Sequence, residues 1–230
     1  MQADAVVEGE VAQAVLGDAG DEQGVRAAVA HLVSLGHTRI GHIAGPQDIS
    51  TGLARLRGFV DSMRSHGLAV DDSQIVYADA LSLAEGLRCG RALLEGNSEL
   101  TAIVAGNDML AVGCYGAFDE LGLRCPQDVS IIGFNDMPFI DRLRPPLSTV
   151  RFPHYQLGTE AAKLLLERIE GGGGPVKILY LAPELVSRGS TVPASPQAVP
   201  GSRGDGGREP AQPGIARAVP LRRGAAGPGR

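Results

Sequence analysis

The sequence predicts a parallel, doubly wound α/β sheet. Three observations carry that prediction. Short apolar runs of strand length alternate with helical apolar stripes between about residues 21 and 192. Glycines punctuate the segments, at Gly36, Gly67 and Gly122 after helical stripes and at Gly45 and Gly106 after strand-like runs. Two strand-like runs then turn polar at once: "AIVAGNDML" (102–110) reaches Asn107-Asp108, and "IIGFNDMPF" (131–139) reaches Asn135-Asp136.

Each element follows in order. "DEQGVRAAVAHLVSLG" (21–36) places Val25, Val29, Leu32 and Val33 on one helical face and stops at Gly36, where a left-handed cap carries no Cβ strain. "RIGHIAG" (39–45) is a short strand that leaves through Gly45-Pro46. Leu56, Phe59, Val60 and Met63 form the next helical stripe, closed by His66-Gly67, and "QIVYA" (74–78) is a strand. Ser82 and Glu85 have capping-box spacing and open a helix through Leu94. "TAIVAG" (101–106) is a strand, 108–122 a helix capped at Gly122, and "DVSIIGF" (128–134) a strand. After "RPPLSTV" come an amphipathic helix, Tyr155 to Ile169, and a last strand near Val176 to Leu181.

Composition narrows the function classes. The 230 residues suffice for one or two domains with a sizeable core. Tryptophan is absent, so stacking platforms for bases or sugar rings are few. A formal charge of -5 gives no basic footprint for nucleic acid. Cys89, Cys114 and Cys125 lack metal-ligand or CxxC spacing, and their odd number argues against a disulfide framework. A reduced, cytoplasmic setting fits. "MQADAVVEGEVAQ" is acidic where a signal peptide needs basic residues, and no apolar stretch approaches a membrane span. Residues 195–230 hold eight glycines, six prolines and six arginines against two acids, and read as a disordered tail. That tail carries about +4 of the total of -5, which leaves about -9 on the remainder.

Polar residues at the strand exits are the candidate site, because ligands of open α/β sheets sit outside the carboxyl ends of the strands. Asn107 and Asp108 also fit a plain helix N-cap, and Asn135-Asp136 fits a turn. Thr51 and Arg55 lie four apart on one face of a helix start that follows the strand exit "HIAGP". A guanidinium there offers a fork to paired hydroxyls, a carboxylate or a phosphate; the alternative is a solvent-facing arginine. No phosphate loop, GxGxxG or GxSxG follows a strand, and the glycines after Glu170 follow a helix. The five histidines form no metal pair, and His37, just past the Gly36 cap, reads as structural or surface. Nothing assembles a nucleophile, a base and an orienting group, so a binding protein without catalytic residues, metal or cofactor is expected.

These pieces in this order resemble the effector-binding domain of the lactose-repressor (LacI/GalR) family of bacterial transcription regulators. The signatures are "HLVSLGHTRIGHIAGP", "RLRGF", "AIVAGNDMLAVG", "LGLRCPQDVSIIGFND", "PPLSTV", "LGTEAAKLLLERI" and "RGSTVP", spanning about residues 15 to 193. The resemblance implies a periplasmic-binding-protein-like α/β fold, with parallel sheets in two subdomains hinged around a ligand cleft. It implies an effector-binding set of Thr51, Arg55, Asn107, Asn135 and Asp136, with Arg55 the effector clamp and Asn107 a hydrogen-bonding contact. Asn135 stands where many members have aspartate, and no aromatic stands near Ala80-Leu81, where several members stack a ring. The implied partners are a small effector, carbohydrate by preference, and a second copy in a homodimer. Operator DNA would be met only through a helix-turn-helix that this chain lacks. The alternative reading is a sugar-binding protein of a transport system.

The domain organisation implied is a remnant of the N-terminal subdomain at 1–46, incomplete because the chain starts late in that subdomain. The C-terminal effector-binding subdomain follows at 47–133, crossover segments with the last helix and strand at 134–194, and the tail at 195–230. On that division the strand near Ile40 to Ala44 should lack neighbours.

Overall fold

A computed structural model describes residues 18–171 and 181–194 of the chain. In order, the elements are α1 (Asp18–Ser34), β1 (Ile40–Ala44), α2 (Ser50–Ser65), β2 (Ile75–Tyr77), α3 (Leu83–Gly96), β3 (Ala102–Ala105), α4 (Asp108–Leu121), β4 (Ser130–Asn135), β5 (Ser148–Arg151), α5 (His154–Ile169) and β6 (Glu184–Val186). The strands form one sheet in the order β2-β1-β3-β4-β5-β6, in which every pair is parallel except β5–β6.

The inner strands are apolar on both sides because both sides are covered. On one face Ile40, Val104, Ile132 and Phe134 pack under α1 and α2, with Val25, Val29, Leu32, Phe59 and Met63. On the other, Ile43, Ile103 and Ile131 pack under α3 and α4, with Leu93, Leu110, Cys114 and Phe118. The helix ends follow the local sequence. Gly122 takes the left-handed conformation (φ 67°) and closes α4. Ser82 accepts from Glu85 N at the start of α3, but Glu85 turns its own carboxylate to Asp79 N, so the capping box is half formed.

The connections fix where a ligand belongs. From β1 the chain crosses through α2 to β2 on one side, then returns through α3 to β3 on the other side of β1. Crossovers of opposite sense leave a crevice between β1 and β3 at their carboxyl ends, the topological switch point.

One expectation is corrected here. β1 pairs with β2 on one edge and β3 on the other, and α1 packs beside α2. The strand at Ile40–Ala44 therefore has both neighbours, and all five of its residues are buried. Within the described residues there is one sheet; the segment without a covering layer is α5, none of whose residues is buried. β5 and β6, unforeseen, complete the far edge. The strand expected near Val176 to Leu181 lies almost wholly outside the described residues, as does the tail from Ser195 onward.

Candidate functional site

Arg55 stands at the switch point. It lies in the second turn of α2 and is 8% exposed. Its Nε donates to Asp21 Oδ1 of α1 at 2.7 Å, and its Nη1 donates to the Gly106 carbonyl, at the exit of β3, at 2.6 Å. The guanidinium carbon sits 3.8 Å from the centre of the Phe134 ring in β4. Two hydrogen bonds and a ring face fix the plane of the fork. Of the five N–H bonds an arginine carries, the other three have no acceptor among the described residues. The solvent-facing alternative does not describe this arginine.

Asn107 is the N-cap of α4: its Oδ1 accepts from Leu110 N at 2.9 Å, while its amide N–H groups have no partner among the described residues. It is 4% exposed. Capping consumes the oxygen and leaves the donors, so the cap role and a ligand role coexist on one side chain. Thr51 is half-buried, one turn before Arg55 on α2.

Asn135 ends β4 with φ 113°, Asp136 follows with φ 56°, and Phe139 has φ 81°. Asn and Asp tolerate positive φ better than other non-glycine residues, which is one physical reason for that pair at this exit. The Asn135 side chain is half-buried and hydrogen-bonds to no described residue. Asp136, expected as an effector contact, meets two arginines. Its Oδ1 accepts from Arg188 Nη2 and its Oδ2 from Arg151 Nε, both at 2.6 Å. Burial pushes its carboxyl up, but the two arginine hydrogen bonds outweigh it and the net shift is downward. Both oxygens are thus engaged in tying the β4 exit to β5 and the closing "RGSTVP" segment.

Asp108, fully buried, braces the same turn from below. Its Oδ1 accepts from Thr149 Oγ1 at 2.6 Å and its Oδ2 from Met137 N at 2.7 Å. Burial pushes its carboxyl up to about 6, against the opposing pull of Thr149 and Met137. Gly133 is required beside it, because a Cβ there would run into Asp108 Oδ1.

Behind Arg55, His42 is sealed in the core and stacked on Phe59 with 4.7 Å between ring centres. Nδ1 lies 2.8 Å from the Val104 carbonyl, so Nδ1 carries the proton and Nε2 is a bare lone pair. That Nε2 is the one fully buried side-chain polar atom without a partner among the described residues. Burial lowers its pKa to about 4, the Val104 carbonyl opposes, and the Arg55 charge lowers it further. His37 is structural as expected, held between Thr101 Oγ1 and the Val192 carbonyl at 2.9 Å each.

Thr51, Arg55, Asn107 and Asn135 thus stand at the carboxyl-end side of the sheet, with Asp136 beside them held by two arginines. Sequence reasoning missed Asp21, Phe134, Thr149 and Arg188. Only Arg188 had a signal, in "RGSTVP", and nothing local links it to Asp136, 52 residues away. No group of three His, Cys, Asp or Glu side chains placed to hold a metal occurs among the described residues. No described helix is long and apolar enough to cross a membrane.

Residues 29–191 match the family profile described as periplasmic binding protein-like domain. The HTH-type transcriptional regulator MalR of Streptomyces coelicolor is 40% identical over 187 residues, 80% of this chain and 52% of that protein. A sugar-binding transcriptional regulator of the LacI family from Escherichia coli, solved with phosphate, superposes with TM-score 0.71 at 31% identity, covering 76% of this chain and 62% of that one. A LacI-family regulator from Enterococcus faecium with bound ribose gives TM-score 0.68 at 31% identity, covering 76% and 65%. These relatives are named as transcriptional regulators. The chain spans about half the length of the curated relatives it matches. Fold, motif order and these likenesses agree: the chain belongs to the periplasmic binding protein-like family, and it is similar to LacI-type transcriptional regulators over about half of their length.

Proposed function

We propose that this chain senses a small, uncharged, polyhydroxylated effector of the carbohydrate class at the β1/β3 switch point, on behalf of a cytoplasmic DNA-binding regulator. The observation that carries the proposal is Arg55. A buried guanidinium, fixed in plane and keeping free N–H groups, is preorganised to donate to neighbouring hydroxyls. Asn107 adds amide donors, Thr51 a hydroxyl, and Asn135 both a donor and an acceptor. Arg55 is balanced by Asp21, and Arg151 and Arg188 by Asp136 and Glu184, so no unbalanced charge calls for an ionic effector. The ribose bound by the Enterococcus faecium relative supports the sugar class.

In this reading the regulator meets operator DNA through a separate helix-turn-helix, and a second lobe closes over the site. The exposed face of α5 supports that lobe: Tyr155 is 90%, Leu165 61% and Ile169 71% exposed. Covering such side chains stabilises by roughly 1.5–3 kcal/mol each. Leu83 and Phe139, exposed at the start of α3 and at the β4 exit turn, supply apolar surface for a second copy in a homodimer. Effector binding between lobes would shift their relative angle and so the affinity for DNA. No chemistry, cofactor or metal is required.

Calorimetric titration of the chain with a panel of neutral mono- and disaccharides tests the proposal. One or more sugars should bind wild type, and Arg55→Ala should weaken that sugar by roughly 10- to 150-fold, the equivalent of 1.5–3 kcal/mol for a charge-assisted hydrogen bond. Unchanged affinity in Arg55→Ala would refute the assignment.

A further inference from the structure

A second concavity lies at the opposite end of the sheet. Its volume is about 440 Å³, within the size range of small-molecule sites, and its floor is Leu94, Leu100, Leu121, Leu123 and Val129. Leu100 and Val129 precede β3 and β4, so the cavity opens at the amino ends of the strands whose carboxyl ends carry Gly106 and Asn135.

The electrostatics there point one way. α3 and α4, 14 residues each, both end at this cavity, and neither has a basic residue in its last turn. Aligned peptide dipoles place roughly half a negative charge at a helix C-terminus, which favours a cation. The last turns add Glu95, Asp119 and Glu120 instead. Glu120 pairs with Arg91, and Asp128, on the rim, accepts from the backbone and guanidinium of Arg124. Glu95, which lines the cavity, has no partner among the described residues, and no lysine or arginine lines it. An apolar floor, two helix C-termini without a basic residue in their last turns and one unpaired carboxylate describe a receptor for an apolar cation.

We propose that this cavity is a second ligand site, independent of the Arg55 site, for a small organic ammonium ion with an apolar body. The alkyl or aryl body would occupy the leucine floor, with the ammonium at the mouth between Glu95 and the terminal carbonyls of α3 and α4. The proposal does not depend on the effector reading, because the two sites share no residue.

The test uses tryptamine, protonated at neutral pH, against tryptophol, its neutral isostere, followed by amide ¹H–¹⁵N spectra of the whole chain. Tryptamine should shift amides within 94–100 and 121–129, leave Arg55 and Asn107 unmoved, and bind about tenfold more tightly than tryptophol. Glu95→Gln, an exposed position whose substitution leaves the fold intact, should weaken tryptamine roughly three- to tenfold and leave tryptophol unchanged. Equal affinity for the two probes, shifts outside those segments, no shift with either, or a tryptamine affinity indifferent to Glu95→Gln would each overturn it.

Discussion

Replacing Asp108 by asparagine should change how stability depends on pH, with a sign opposite to that of carboxylates held down by ion pairs. Asp108 holds Thr149 and Met137 in place from a fully buried position, and its carboxyl titrates at about 6 rather than 3.8. A folded-state pKa above the unfolded one means that the folded chain binds the proton more tightly. The stabilisation is therefore fully present below pH 3.8 and is lost as pH rises through about 6. Protonation suits the geometry, since a carboxyl O–H can donate to Thr149 Oγ1 while the other oxygen still accepts from Met137 N. Asparagine keeps the same two contacts, with its oxygen toward Met137 N and its amide toward the hydroxyl, but does not titrate. Urea unfolding of wild type and Asp108→Asn at pH 7.5, 6, 5 and 4 isolates the term. Wild type should gain about 2 kcal/mol on the variant between pH 7.5 and 4, from the linkage of those two pKa values. Parallel curves for the two proteins would refute the placement of Asp108.

His42 should behave in the opposite sense. Its folded pKa of about 4 lies below the unfolded 6.5, so stability present above pH 6.5 is lost as pH falls toward 4. His42→Phe should remove a loss of roughly 3 kcal/mol over that window, read from the same unfolding series; an acid slope equal to that of wild type would contradict it. At the site, Asn135→Ala removes neutral hydrogen bonds worth about 0.5–1.5 kcal/mol each, so calorimetry should find a smaller loss of sugar affinity than for Arg55→Ala. A larger loss would move the clamp from Arg55 to the β4 exit. Hydrogen exchange should find β1 as protected as β3, with α5 exchanging fastest among the helices because none of its residues is buried. Rapid exchange at Ile40–Ala44 would restore the idea of an unpaired strand there.

The sequence made the alternation of elements legible because each helix carries its own apolar stripe and its own stop. Gly36 and Gly122 adopt the positive φ that their positions after helical stripes implied, and Ser82 caps α3. The site was half legible. Arg55, Asn107 and Asn135 could be placed at strand exits because a parallel sheet puts all such exits on one edge. What Arg55 touches could not be read, since Asp21, Gly106 and Phe134 come from three other elements. Asp136 looked like an open acceptor for the same reason: its arginines are 15 and 52 residues away. The neighbours of β1 could not be read because "RIGHIAG" shows that the strand is buried on both faces but not which strands flank it. β5 was hidden by Pro145-Pro146 just before it, and β6 by its three-residue length.

On the effector reading, Arg55, Asn107 and Asn135 converge on one ligand. Side-chain ¹H–¹⁵N spectra of the Arg55 Nε and the Asn107 and Asn135 amides, recorded during titration with the tightest-binding sugar, test it most directly. All three should shift together along one binding curve, while Arg188, held by Asp136, stays in place. Binding detected by calorimetry with those three signals unmoved, or moving with separate affinities, would contradict the account.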